Sequence, residues 1–153
     1  MYISELTIEN FRSFKEKTTI HFHEGTNVII GENNAGKTTI IKALQLLFDY
    51  KSSNKLTIDD FNRRISITNL KENPPKIIIS VTLTESKNEE QYSDELVTVS
   101  TWLTRIQEPY EATITFEFFL PERDLDDYQN YMNKLEVEED DDYWKAIEHV
   151  FLK

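Results

Sequence analysis

The chain has no cysteine, so disulfides and thiolate metal sites are closed to it, as fits a reducing compartment. No stretch is apolar for long enough to cross a bilayer as a helix. The opening MYISELTIEN has neither a basic leader nor an apolar run of signal-peptide length. These absences point to a soluble, cytoplasmic protein with no membrane partner. There is no internal repeat, and 153 residues leave room for one domain with a sizeable core.

Positive charge is scarce in the second half. Residues 1–71 hold 10 Lys/Arg against 8 Asp/Glu, and residues 72–153 hold 7 against 20. The halves carry +2 and −13, which make up the net −11. An acidic surface repels phosphate backbones, so residues 72–153 are a poor nucleic-acid interface. Any DNA contact falls to the basic positions of the first half or to parts outside this chain.

Against this background one stretch stands out, NVIIGENNAGKTTIIKALQLL at 27–47. Its core, Gly31-Glu32-Asn33-Asn34-Ala35-Gly36-Lys37-Thr38, matches G-x-x-x-x-G-K-[ST], followed by Thr39. Such a loop must curl so that successive backbone N–H groups meet one phosphate, at angles most side chains resist. Lys37 adds a cation for the β/γ oxygens, Thr38 a hydroxyl for a bound Mg²⁺, and the following helix its positive end. Residues 27–30 read as a buried central strand before the loop. After it, Ile40, Ala43, Leu44, Leu47 and Phe48 share one helical face. Asn34 tolerates left-handed backbone angles and can replace a glycine, and its amide can reach phosphate. Asn33 faces the γ-phosphate side, or both asparagines satisfy the loop's own backbone. No guanine-reading N-K-x-D motif is present, which favours ATP.

Elsewhere, 2–9 and 18–23 read as strands joined by a turn at NFRSFKEK, with Ile20 and Phe22 inward. Residues 49–75 are polar and end in the breaker Asn73-Pro74-Pro75. Three segments, 76–84, 96–106 and 112–120, read as an antiparallel meander spanning 76–120, with QEPYE as a hairpin connection. The region 122–152 reads as helical, with Leu125, Tyr128, Met132 and Leu135 in register. Trp102, Phe116, Phe118 and Phe119 fit core and lobe-interface packing better than base stacking. His21 and His23 share a strand face but lack a third ligand, so they read as exposed polar residues. Glu136–Asp142 reads as a solvated charge run, and Phe61 as an anchor.

ISELTIENFRSF, followed by NVIIGENNAGKTTIIKALQLLF, resembles the N-terminal ATPase lobe of the SMC/RecF/OLD group of ABC-type ATPases. The double asparagine, the I-x-N-F-R-x-F phrase and TIDDF at 57–61 resemble most the OLD (overcoming lysogenization defect) branch, which includes the Gabija nuclease subunit. Many chromosome-maintenance members of the group have glycine where this chain has Asn34. The motifs cover residues 3–61. The resemblance implies an α/β fold: part of a P-loop ABC-type head (lobe I), with 1–50 as its core, an antiparallel β subdomain and C-terminal helices. It places Arg12 near the nucleotide, where a guanidinium suits phosphate, and gives TIDDF a part in shaping that side. It implies ATP and Mg²⁺ as cofactors and a second ATPase head as partner. It also implies an ATP-regulated DNA endonuclease in phage defence, with a helicase-like defence partner. Other features of that group are missing. No apolar strand ends in Asp-Glu, since Pro121 interrupts FFLPE; no LSxGE-type signature occurs, and no Toprim carboxylate set is framed by strand ends. The expectation is therefore a lobe of a longer protein that binds nucleotide but does not turn it over alone. A non-catalytic nucleotide-binding module, or a RecF/SMC-like head, is the alternative.

Overall fold

A computed structural model describes residues 1–32, 35–49, 51, 56–87, 94–135 and 140–151. Period-two alternation builds its centre. β1 (Tyr2–Glu9) pairs antiparallel with β2 (Thr18–His21) on one side and with β3 (Ile77–Thr84) on the other. β3 then pairs antiparallel with β5 (Glu111–Phe118), and β5 with the short β4 (Leu103–Arg105). The order is β2-β1-β3-β5-β4. Register aligns the apolar side chains in rows, Ile20–Leu6–Val81–Ile114 and Ile8–Ile79–Phe116. Leu6, Ile8, Ile77, Ile79 and Val81 are fully buried, each contributing about 1.5–3 kcal/mol against exposure. On β5, Thr113, Thr115 and Glu117 are exposed, so this strand alternates apolar inside and polar outside.

Helices cover the apolar face. α1 (Lys37–Phe48) lies against β3 and β5 and buries Ile40, Ala43 and Leu46. A 3-10 turn at Ile58–Asp60 and α2 (Ile67–Glu72) follow. α3 (Asp94–Val99) precedes β4, and α4 (Leu125–Lys134) and α5 (Asp140–Phe151) close the chain. Phe61 is buried among Phe118, Trp144 and Phe151 at centroid distances of 5.5–6.1 Å, the anchor its pattern suggests. Tyr128 and Met132 of α4 are buried as their register predicts, and the Tyr128 hydroxyl donates to the Leu70 carbonyl at 2.5 Å.

The α/β reading holds, but several elements differ from expectation. Residues 27–30 form no strand, and Val28, Ile29 and Ile30 are 76%, 42% and 90% exposed. A central strand needs partners on both sides, and this run joins none of the five described strands. The segment 96–106 is helix, then a 3-10 turn at Ser100–Trp102, then β4, instead of one strand. It lies at the sheet edge with Val97, Trp102 and Ile106 exposed, so alternation has no buried face there. Thr98 and Ser100 hydroxyls bond back to the Asp94 and Val97 carbonyls, which suits a helical turn. Trp102 and Phe119 are about half exposed instead of packed, whereas Phe116 and Phe118 join the core. On α1, Phe48 is 53% exposed and Leu46 takes its inward place. Within the polar stretch 49–75 the 3-10 turn and α2 were unforeseen. Residues 136–139 of the acidic run lie outside the described residues, and 140–142 begin α5. His21 and His23 are exposed, with His21 Nδ1 3.3 Å from Glu5 Oε1.

Candidate nucleotide site

The loop ends at Gly36, which is buried and has φ 90 and ψ 4, a left-handed conformation that glycine adopts without strain. A Cβ there would lie 3.1 Å from the Phe14 ring and from Ser13 Oγ. Glycine is thus favoured twice, by backbone angle and by close approach. Gly36 is also the N-cap of α1, with no side-chain cap and no acidic residue in the first turn. The first-turn N–H groups keep their positive end for an outside anion.

Lys37 folds back over the loop. Its ammonium donates to the carbonyl oxygens of Gly31 and, at 2.6 Å, of Glu32. Ala35 N donates to the Glu32 carbonyl at 3.2 Å and tightens the curl. Gly31, Glu32, Ala35 and Thr38 are exposed along its rim. Asn33 and Asn34 lie outside the described residues. Thr39 faces inward instead: it is buried, and its Oγ1 accepts from Ser13 Oγ at 3.1 Å. Its hydroxyl therefore holds the loop to the neighbouring turn.

That turn, Asn10–Phe14, is closed by reciprocal hydrogen bonds between Phe11 and Phe14 at 2.9 Å. Asn10 and Arg12 have φ of 53 and 50, in the left-handed region that costs most side chains about 1–2 kcal/mol. Long-range bonds hold Arg12 there. Its backbone N donates to the Asp60 carbonyl at 2.8 Å, and its own carbonyl accepts from Asn62 Nδ2 at 2.6 Å. Arg12 Nε and Nη2 both meet Asp60 Oδ1, at 2.8 and 2.6 Å. Arg12 lines two clefts. One, of about 380 Å³, opens toward Lys42 and Gln45 of α1. The other, of about 440 Å³, joins Ala35 of the loop to Arg63 and Arg64. Arg63 is paired with Asp59 and stacked 4.7 Å over the Trp144 ring.

These residues fit a nucleotide phosphate: a curled glycine loop, an uncapped helix start, and a lysine held, among the described residues, by neutral carbonyls. They fit a protein-held cation poorly, since no cluster of three His, Cys, Asp or Glu occurs among the described residues. Mg²⁺ would come with the phosphates and take one oxygen from Thr38. The resemblance put Arg12 near the nucleotide and TIDDF on the same side, but Ser13, Phe14 and the pairing of Arg12 with Asp60 were not foreseen. The T-x-x-D spacing at 57–60 was a legible capping signal for Asp60, whereas its partnership with Arg12 was not.

The family model described as AAA_15, AAA ATPase domain, matches residues 1–152. The chain belongs to this AAA ATPase domain family. Within this AAA ATPase domain, 74 residues are 36% identical to the Chromosome partition protein Smc of Halobacteriovorax marinus, covering 48% of this chain and 6% of that protein. A 52-residue stretch is 44% identical to the DNA replication and repair protein RecF of Geobacillus kaustophilus, covering 34% and 14%. The domain thus spans a small part of the curated relatives it matches. A solved structure from work on the structural biochemistry of ATP-driven dimerization and DNA-stimulated activation of SMC ATPases overlays with a TM-score of 0.49 at 16% identity, over 95% of this chain and 91% of that one. The domain is related to SMC and RecF proteins.

Proposed function

We propose that this AAA ATPase domain binds ATP with Mg²⁺ at Gly31–Thr38, as one lobe of an ATPase head whose association with a second head responds to the nucleotide. The observation that carries the reading is Gly36–Lys37: a left-handed glycine where a Cβ would crowd Phe14 and Ser13, then a lysine resting on the loop's own carbonyls. An incoming triphosphate offers that ammonium anionic oxygens in place of neutral ones, a stronger charge-assisted bond. The α1 first-turn N–H groups meet the same phosphates. Arg12 flanks them from the neighbouring turn, and Thr38 is the residue for Mg²⁺. Lys37→Ala tests the site: ATP binding is lost while the fold remains, and retained affinity would refute it.

The finer reading is an OLD-type ATP-dependent DNA endonuclease, with a nuclease domain and DNA contacts outside these residues and a role in phage defence. The phrases NFRSF and TIDDF and the double asparagine support it. The second reading, a RecF- or SMC-like repair or chromosome ATPase, is favoured by the identities to those proteins. Plasmid cleavage by the protein carrying this domain, with divalent metal and with or without ATP, separates the two. ATP-dependent cleavage supports the endonuclease. ATP-dependent DNA binding without cleavage supports the RecF-like alternative.

A further inference from the structure

We infer that Asp60 is a positioning residue for the nucleotide site, acting through Arg12. The inference rests on the phosphate reading of the loop and adds to it a residue 48 positions from Arg12. Asp60 is only 5% exposed, and its two oxygens have separate tasks. Oδ2 accepts from Thr57 N at 2.9 Å, which closes the 3-10 turn. Oδ1 accepts from both Nε and Nη2 of Arg12. A carboxylate held by its own turn is a fixed anchor, so the guanidinium it grips is fixed too.

The geometry leaves Arg12 able to act while it is gripped. A guanidinium has five N–H donors. Asp60 takes the Nε donor and one on Nη2, which leaves three N–H donors on a side chain that lines two clefts. The Arg12 side chain is 34% exposed and that of Asp60 7%, so of the pair it is the cation that solvent and ligands can reach. The next residue, Ser13, bonds Thr39 and meets Gly36, which ties this turn to the phosphate loop itself. A free arginine loses rotamer freedom when it grips an anion; one already held by Asp60 loses less. The pairing also supports the left-handed backbone at Arg12, because Arg12 N bonds the Asp60 carbonyl. Asp60 therefore sets the direction from which a cation reaches the phosphates, and it touches no nucleotide.

The test is a double-mutant cycle on ATP–Mg²⁺ affinity with Arg12→Ala, Asp60→Asn and the pair combined, with Lys37→Ala as control. The amide oxygen introduced by Asp60→Asn keeps an acceptor for Thr57 N, and melting curves check that each variant folds. We expect each single change to weaken binding about ten-fold and the pair to weaken it about ten-fold as well, not a hundred-fold. A ¹⁵N spectrum supplies a readout that a purely structural role would not move. In the wild type the Arg12 Nε–H gives a slowly exchanging signal that shifts on adding ATP–Mg²⁺, and in Asp60→Asn it is lost. Multiplicative losses, or unchanged affinity in Asp60→Asn while Lys37→Ala abolishes binding, overturn the inference alone. Absence of ATP binding by the wild type overturns the phosphate reading and this inference with it.

Discussion

Gly25 and Gly36 have the same φ of +90, and this makes them a matched pair. A Cβ on Gly25 meets nothing within 4 Å, whereas on Gly36 it meets Phe14 and Ser13 at 3.1 Å. Alanine at Gly25 therefore carries the left-handed penalty alone, partly offset by lower freedom in the unfolded chain, a net of about 1 kcal/mol. For a chain of this size that is about 2–4 °C of Tm. Alanine at Gly36 adds the displacement of the Phe14 ring and Ser13, about 1–2 kcal/mol more, for roughly 5–10 °C in all. Because Ser13 also bonds Thr39, that displacement distorts the loop, so Gly36→Ala loses ATP affinity and Gly25→Ala keeps it. Thermal melts and ATP titrations of both variants read this directly. Equal Tm losses with full affinity in Gly36→Ala would refute the close approach of turn and loop.

Phe61→Ala removes a buried ring from a four-ring cluster and should cost about 3–5 kcal/mol in urea unfolding. A loss below about 1 kcal/mol would place the core elsewhere. Tyr128→Phe leaves the Leu70 carbonyl without its donor and should cost about 1–2 kcal/mol at neutral pH. Burial pushes the Tyr128 phenol above its ordinary value of 10.0. The folded state thus holds the proton more tightly than the unfolded state, and this contribution is fully present below pH 10.0 and falls as pH rises past it. The stability gap between wild type and Tyr128→Phe should narrow above that pH; a gap that widens would contradict the burial. Lys37→Ala should leave Tm within about 2 °C, since its ammonium bonds the Gly31 and Glu32 carbonyls of an exposed loop.

What was legible in the sequence followed one-sided burial. β1, β3 and β5 carry clean alternation, and α1 carries a helical stripe directly behind an unmistakable motif. Residues 27–30 misled because an apolar run states only that it is hydrophobic; whether it is a strand depends on neighbours. Residues 96–102 misled because β-branched side chains favour strands only where a pleated face is packed. α2 was missed although Ser66 accepts from Asn69 N at 3.4 Å, a cap of the S-x-x-N kind. At the site, the loop was legible from residue types and spacing, whereas Arg12 was singled out only by the family resemblance of NFRSF. The pairing of Asp60 with Arg12 was not legible, because it spans 48 residues and depends on how the 57–62 segment docks on the first turn.

The most direct measurement is titration calorimetry of this domain with ATP and Mg²⁺, with phosphate release followed in parallel. Binding without turnover, abolished by Lys37→Ala, is the result expected of a lobe holding part of a site. No binding, or binding indifferent to Lys37→Ala, would contradict the assignment of Gly31–Thr38 to phosphate.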